Sequence, residues 1–252
     1  MYLLRSPDLR LAQTVYGVPI YVDANTHLGR LCIGSGVWET GTTRLLLDKL
    51  KEGDLFVDVG ANVGYYTVLA ASRVGDQGKV ISFEPDPGNF RILSRNAVAF
   101  GSGNVTCEQL GVGSEDSRAR LWLDPFDNAT HSIVQRSGMH HYIDFRMTSL
   151  DNYFESRNLR CPDVIKIDTE GCEPLVLNGM SKLIGRTEAL KLVVEFNPFL
   201  LMKNNANPQA FLSKLTQVGF TLNTISKDGK PKPVSLARVL QVKREQNLYC
   251  EK

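Results

Sequence analysis

LFVDVGANVGYYT, residues 55–67, is the stretch whose reading decides the fold. A short apolar run, Leu55–Val59, passes directly into Gly60-Ala61-Asn62-Val63-Gly64 and then into a helix-period stretch, Tyr65–Arg73. A strand that turns through glycines into a helix lets backbone N–H groups approach a ligand, because glycine has no Cβ to collide with it. Asp58 stands two residues before the first glycine, near the carboxyl end of the strand, which is the edge where open α/β sheets bind ligands. A plain tight turn, with glycines serving only helix–strand packing, is the competing reading of the loop.

Working outward, the next apolar run, Val80–Phe83, ends in Glu84, twenty residues after Gly64. An acid there is placed to accept both hydroxyls of a ribose, so loop and acid together predict an adenosine-containing ligand. Two cofactor classes fit. Dinucleotides favour G-x-G-x-x-G, whereas Asn62 occupies the place of the second glycine here and Asp58 precedes the loop. S-adenosylmethionine carries an ammonium and a sulfonium and no phosphate, and it suits the acid at position 58 better.

Further runs at Val164–Ile167 and Leu190–Phe196 read as buried strands. Helix-period stretches follow at Gly88–Phe100, Cys172–Ile184 and Pro208–Val218, so the chain predicts a parallel sheet covered on both faces. Two regions break the alternation. Residues 1–36, with the β-branched piece Val15–Val22, predict an N-terminal β extension. Residues 118–148 predict a hairpin insertion, Ala119–Leu123 and Tyr142–Thr148, joined by the polar loop Asp124–His141. Phe220–Ile225 and Leu248–Cys250 are expected to close the sheet as an antiparallel pair. No composition shift marks a boundary, so residues 1–252 are read as one domain, with 37–252 as its catalytic core.

The third strand ends in Asp168-Thr169-Glu170-Gly171, followed by Glu173, and Glu195 holds the corresponding place on the fourth. Clustered carboxylates on one rim oppose folding and so point to a functional task. The plainer alternative for Glu170 and Glu173 is interaction with a helix N-terminus. Asp168, Glu195 and Glu170 are candidate bases or acceptor-orienting groups, and His131, in the insertion loop, is a further candidate base. No Asp-Asp or Asp-Asn pair supports a metal site, so no metal ligand is assigned and a divalent ion is the lesser expectation.

Composition narrows the partners. Lys and Arg number 29 against 27 Asp and Glu, a net charge of +2, with no basic block of the kind nucleic-acid binders use. The expected acceptor is therefore a small molecule or glycan rather than nucleic acid. The five cysteines form no C-x-x-C pair, no stretch of about 18 apolar residues occurs, and Arg5, Pro7, Asp8 and Arg10 interrupt any leader-like run. Reduced thiols, no membrane span and a cytoplasmic setting are the expectation, which leaves the sequons at Asn104 and Asn128 without a role.

Taken together, VDVGANVGYYT (57–67), VISFEPDPGNFRILSRN (80–96), SLDNYF (149–154), DVIKIDTEGCEPLVLNG (163–179) and LVVEFNP (192–198) resemble the FkbM-type methyltransferases. The resemblance implies a Rossmann-like class I S-adenosylmethionine-dependent methyltransferase fold: α/β, with a mostly parallel seven-stranded sheet whose last strand is reversed. It assigns Asp58, Gly60, Asn62 and Gly64 to the methionine-side cradle, with Glu39 and Asp168 facing the same end. Glu84 with Pro85 would hold the ribose, and Gly111 and Val112 would flank the adenine. Many relatives are O-methyltransferases of sugars or secondary metabolites, so O-methylation of a hydroxyl is the expected activity. The competing readings are a nicotinamide-dependent oxidoreductase on a similar sheet and a non-catalytic cofactor-binding subunit.

Overall fold

The structure is a computed structural model and describes residues 7–101, 103–124, 131–135 and 137–252. The N-terminal segment forms a hairpin, β1 (Leu9–Gln13) and β2 (Pro19–Asp23), followed by α1 (His27–Ser35) and α2 (Thr40–Lys49). The first half of the core is β3 (Leu55–Val59), α3 (Tyr65–Val74), β4 (Lys79–Phe83), α4 (Pro87–Phe100) and β5 (Val105–Glu108). The insertion contributes β6 (Gly111–Val112), β7 (Ser117–Leu123) and β8 (His141–Thr148). The chain continues through α5 (Leu150–Ser156), β9 (Val164–Ile167), α6 (Glu173–Asn178), α7 (Ser181–Arg186) and β10 (Lys191–Phe196). It ends with α8 (Pro198–Lys203), α9 (Pro208–Gln217), β11 (Thr221–Ile225), β12 (Pro231–Pro233), α10 (Leu236–Leu240) and β13 (Gln246–Glu251).

The central sheet has the order β12-β11-β13-β10-β9-β3-β4-β5. Strands β5, β4, β3, β9 and β10 run parallel, and β13 is reversed between β10 and β11. That is the mostly parallel class I methyltransferase architecture with its reversed last strand. The eighth strand, β12, corrects the expected seven: it adds antiparallel to β11 at the rim, where Pro231 and Pro233, which cannot donate to a ladder, are tolerated. From β3 the chain builds outward through β4 and β5, then returns to the other side of β3 with β9 and β10. The switch point therefore lies between β3 and β9, and a crevice opens above their carboxyl ends.

Alternation along each strand divides the core in two. Leu55, Val57, Val59, Ile165 and Ile167 pack on one face with α5, α6, α7 and α9, through residues such as Phe154, Val176, Leu183 and Leu212. Phe56, Val80, Val164 and Val193 pack on the other face with α2 and α3 and with Ile20 and Val22 of the hairpin. The same alternation puts Asp58 and Lys166, paired across β3 and β9, on the second face, beside Ser82 of β4.

Three segments depart from the sequence expectation. The N-terminal region is a hairpin, but its strands flank Val15 rather than contain it, and residues 27–35 are a helix whose N-cap is the Thr26 hydroxyl. The expected helix 172–184 is two short helices, because a Cβ on Gly179 would lie 2.0 Å from the Gly113 carbonyl oxygen. The Asp151 carboxylate, from α5, then accepts from the N–H groups of Lys182 and Leu183 and starts α7 afresh. The insertion hairpin is extended by β6 into a three-stranded sheet, β6-β8-β7. Residues 1–6 and, in the loop expected over Asp124–His141, residues 125–130 and 136 lie outside the described residues, and so does the sequon at Asn128. At the other sequon, the Asn104 amide donates to the carbonyls of Ala71 and Gly75. All five cysteines are free thiols. Among the described residues no helix is long and apolar enough to cross a membrane.

Asn96 of α4 ties the hairpin to this core. Its Oδ1 accepts from the Tyr21 N–H at 2.8 Å, while its Nδ2 donates to the Tyr21 and Val63 carbonyls at 2.9 and 2.8 Å. Replacing Asn96 by Ala strands these backbone groups and is expected to cost about 2–4 kcal/mol in urea unfolding. The Tyr21 amide should lose its hydrogen-exchange protection; unchanged exchange there would refute the pinning role.

Candidate active site

The glycine loop is shaped by protein contacts before any ligand enters. Gly60 has φ +80°, and a Cβ on it would lie 1.8 Å from the Asp168 carbonyl oxygen, so glycine is demanded by the close approach of the ends of β3 and β9. The loop N–H groups are all used internally. Gly60 and Ala61 donate to the Phe83 carbonyl, Asn62 to Glu84 Oε2, Val63 to Asn62 Oδ1 and Gly64 to the Ala61 carbonyl. This corrects the expectation that the loop presents its amides to a ligand: it offers no row of open donors of the kind that holds a pyrophosphate. Gly64 lies away from the crevice, capping α3 at φ +90° with Leu93 of α4 against its Cα.

Asp58 does not line the crevice either. Its carboxylate is 1% exposed beneath the loop, where Oδ2 accepts from Thr67 Oγ1 at 2.7 Å and Thr67 in turn meets Ser82 Oγ. Burial raises its pKa, against the pull of Lys166. Its influence on the crevice is through space, not by contact.

The crevice runs between two chemically different ends. At one end Glu84, Pro85, Gly111 and Val112 meet apolar side chains of the insertion sheet, Leu121, Phe145 and Met147. Phe145 covers Gly111 so closely that a Cβ there would lie 2.3 Å from its ring. Glu84 accepts from the Asn62 N–H at 2.8 Å and from the Asp86 N–H at 2.9 Å, and burial pushes its pKa up to about 8. His131 belongs to this end too. Its Nδ1 accepts from the Asp124 N–H at 2.9 Å and its Nε2 lies 3.8 Å from Asp86, so the structure places it beside the Glu84 turn and outside the carboxylate group at Asp168.

The other end is the acidic rim. Lys166, 2% exposed in the middle of β9, donates to Asp168 Oδ2 at 2.8 Å and lies 4.6 Å from the centre of the Tyr66 ring. Burial would depress its pKa, but Asp168, Asp58 and Glu39 outweigh that and hold it protonated. Glu39 accepts from the Tyr66 hydroxyl at 2.5 Å and from Asn247 Nδ2 at 2.8 Å. Glu195 is 3% exposed, and its pKa is pushed well above the ordinary range by burial and then by Asp168, Glu173 and Glu170. Glu170 sits at φ +55° in a loop clasped by Glu173, whose Oε1 accepts from the Thr169 N–H and hydroxyl and from the Gly171 N–H. One oxygen each from Asp168, Glu170 and Glu195 lies within 4.8 Å of the others.

Sequence reasoning passed over Lys166, Tyr66 and Glu245, which line the crevice as well. The signal for Lys166 was available: a charge inside the otherwise apolar run VIKI has to be paired or functional. Tyr66 had none, since an aromatic residue early in a buried helix reads as core.

The Methyltransferase FkbM domain matches residues 58–222, well over half the chain. The chain belongs to this family. Among its relatives, the Hexuronic acid methyltransferase AglP of Haloferax volcanii is 30% identical over 147 residues, 58% of this chain and 58% of that protein. Methyltransferase 1 of Beauveria bassiana is 28% identical over 148 residues, 51% of this chain and 59% of that protein. The matched segment thus spans less than two thirds of either relative. A solved structure from Klebsiella pneumoniae, provisionally described as an O-methyltransferase, shares the fold with a TM-score of 0.51 at 13% identity, covering 90% of this chain and 85% of that one.

Glu84 and Glu173 set a pH dependence for this FkbM-family site. Burial lifts them from an ordinary value of 4.5 to about 8 and about 7, so between those limits the folded state holds protons that the unfolded chain has released. Stability should be fullest below pH 4.5 for these two groups and fall as pH rises to about 8. Glu84→Gln should flatten that slope in urea titrations; an unchanged slope would show that Glu84 ionises normally.

Proposed function

We propose that this FkbM-family protein binds S-adenosylmethionine in the crevice and transfers its methyl group to a hydroxyl oxygen of a sugar or a similar small acceptor. One observation carries the reading: the crevice pairs a ribose-type acid, Glu84, with a closed amide loop and a strongly acidic lining. Among the described residues, six carboxylates line it (Glu39, Glu84, Asp168, Glu170, Glu195 and Glu245) against a single ammonium, Lys166. A dinucleotide brings a pyrophosphate that this loop has no open N–H groups to hold, whereas a sulfonium and an ammonium suit the charge. The same acidity favours an uncharged acceptor group over polyanionic nucleic acid.

In this reading Glu84, Pro85, Gly111 and Val112 would hold the adenosine, and Asp168 and Glu195 would face the methyl group. The donor would supply a sulfonium methyl that the acceptor oxygen takes in line, the electron pair of the broken carbon–sulfur bond staying on sulfur. The acceptor proton passes to a rim carboxylate. Asp168, oriented by Lys166, is the group we assign to this task, and alignment of acceptor and donor supplies much of the barrier lowering, roughly 7–11 kcal/mol when well oriented. Sugar as the acceptor class rests on the Haloferax volcanii relative, which is named for a hexuronic acid.

S-adenosylmethionine at a hundred times its Kd should raise the Tm by roughly 5–11 °C, corresponding to about 2.7 kcal/mol, while NAD should not. Stabilisation by NAD alone would overturn the proposal. Asp168→Asn should lower turnover by about 10²–10⁴-fold and leave donor binding within a few-fold, as read by calorimetry. Unaltered turnover would remove Asp168 from the proton transfer.

A further inference from the structure

We propose that Asp168, Glu170 and Glu195 bind one divalent cation of the oxygen-seeking class, magnesium or manganese, at the acceptor end of the crevice. Ligand oxygens sit about 2.0–2.1 Å from magnesium, so oxygens sharing one such ion are at most about 4.2 Å apart. The three carboxylates, each with an oxygen within 4.8 Å of the other two, reach that limit by a side-chain closure of a few tenths of an ångström.

An acidic cluster alone would not make a site, but Glu195 adds a separate observation. It is 3% exposed, its carboxylate is turned towards Asp168 and Glu170, and its Oε2 has no hydrogen-bond partner. A buried carboxylate oxygen left in that state costs free energy unless something cationic occupies the space before it. Lys166 does not fill this place, because its ammonium is committed to Asp168 Oδ2. Ionised together, as a bound ion would hold them, the three carboxylates leave two negative charges after that pairing, the charge of one divalent ion.

The ligands are also held in advance. Asp168 and Glu195 stand at the carboxyl ends of the adjacent parallel strands β9 and β10. Glu170 is fixed by its left-handed backbone, by its carbonyl accepting from Asn204 Nδ2 at 3.0 Å, and by the Glu173 clasp on either side of it. Lys166 orients Asp168 as an outer-shell partner. No thiolate or imidazole joins the group among the described residues, which selects hard ions over zinc or copper. Three carboxylates leave positions on the ion for water and for acceptor oxygens. That acceptor role rests on the methyl-transfer reading; the ion site itself rests only on the three carboxylates.

The test is a titration of the full chain, stripped with EDTA, with manganese(II) chloride, free ion being read by electron paramagnetic resonance. One ion per chain, displaced by excess magnesium, is expected. Glu195→Gln should weaken binding by at least about 10-fold, the lower end of what even an outer-shell change costs a metal site. Glu170→Gln, on the partly exposed loop, should do the same and serves if the Glu195 variant fails to fold. Binding of S-adenosylhomocysteine to the unsubstituted chain, measured by calorimetry with and without manganese, reads the donor site separately. No manganese bound at millimolar concentration, or binding unmoved in the folded variants, overturns the proposal. Manganese bound where S-adenosylhomocysteine is not upholds the ion site and removes the methyl-transfer reading instead.

Discussion

The ion pair between buried Lys166 and partly exposed Asp168 is the interaction on which the rest of the site depends. A lysine 2% exposed in a central strand is expensive in isolation, and the surrounding carboxylates are equally expensive without it. Together they are mutually required: Lys166 meets Asp168 directly, lies over Tyr66, and feels Asp58 and Glu39 through low-dielectric protein. The pair is no large source of stability, since desolvation offsets much of the attraction. Its effect is orientation. Asp168 is fixed at the carboxyl edge of the sheet, its carbonyl is pressed against Gly60, and both halves of the crevice are thereby registered to one strand.

From that strand the crevice divides by chemistry. The Glu84 end is closed by aromatic and aliphatic side chains of the insertion sheet and suits a flat, weakly polar group beside a diol. The rim end gathers acids from three elements and suits positive charge and hydroxyls. Leu121, Phe145 and Met147 of the insertion stand beside Gly111 and Val112, on the side assigned to the adenine. In the proposed function, acceptor recognition falls to the rim and to the elements after Glu195 and around Glu39.

Buried parallel strands were the most legible part of the sequence. Leu55–Val59 and Val164–Ile167 are legible to the residue, because strands covered on both faces leave a mainly apolar run between turn signals, interrupted here only by Asp58 and Lys166. The strand β5, Val105–Glu108, was not picked out as a run, since it is an edge strand of mixed character and only half-buried. The break at Gly179 depends on a carbonyl sixty-six residues earlier in the chain, at Gly113, which no local pattern reveals. In the site, Glu84 and the carboxylates were visible as acids at strand ends. What the loop amides do was not visible, because their partners, Phe83 and Glu84, come from the neighbouring strand. The direction of Asp58 was lost for a related reason: strand alternation puts it on the α3 side, where Thr67 captures it.

The central claim is that one crevice holds the donor with its adenosine at Glu84 and its sulfur at the Asp168–Glu195 rim. A crystal structure of the protein with S-adenosylhomocysteine tests this most directly. The account predicts both ribose hydroxyls within hydrogen-bonding distance of the Glu84 carboxylate and the sulfur facing Asp168. A ligand seated elsewhere, or lying in the crevice with its adenosine at the acidic rim, would contradict it.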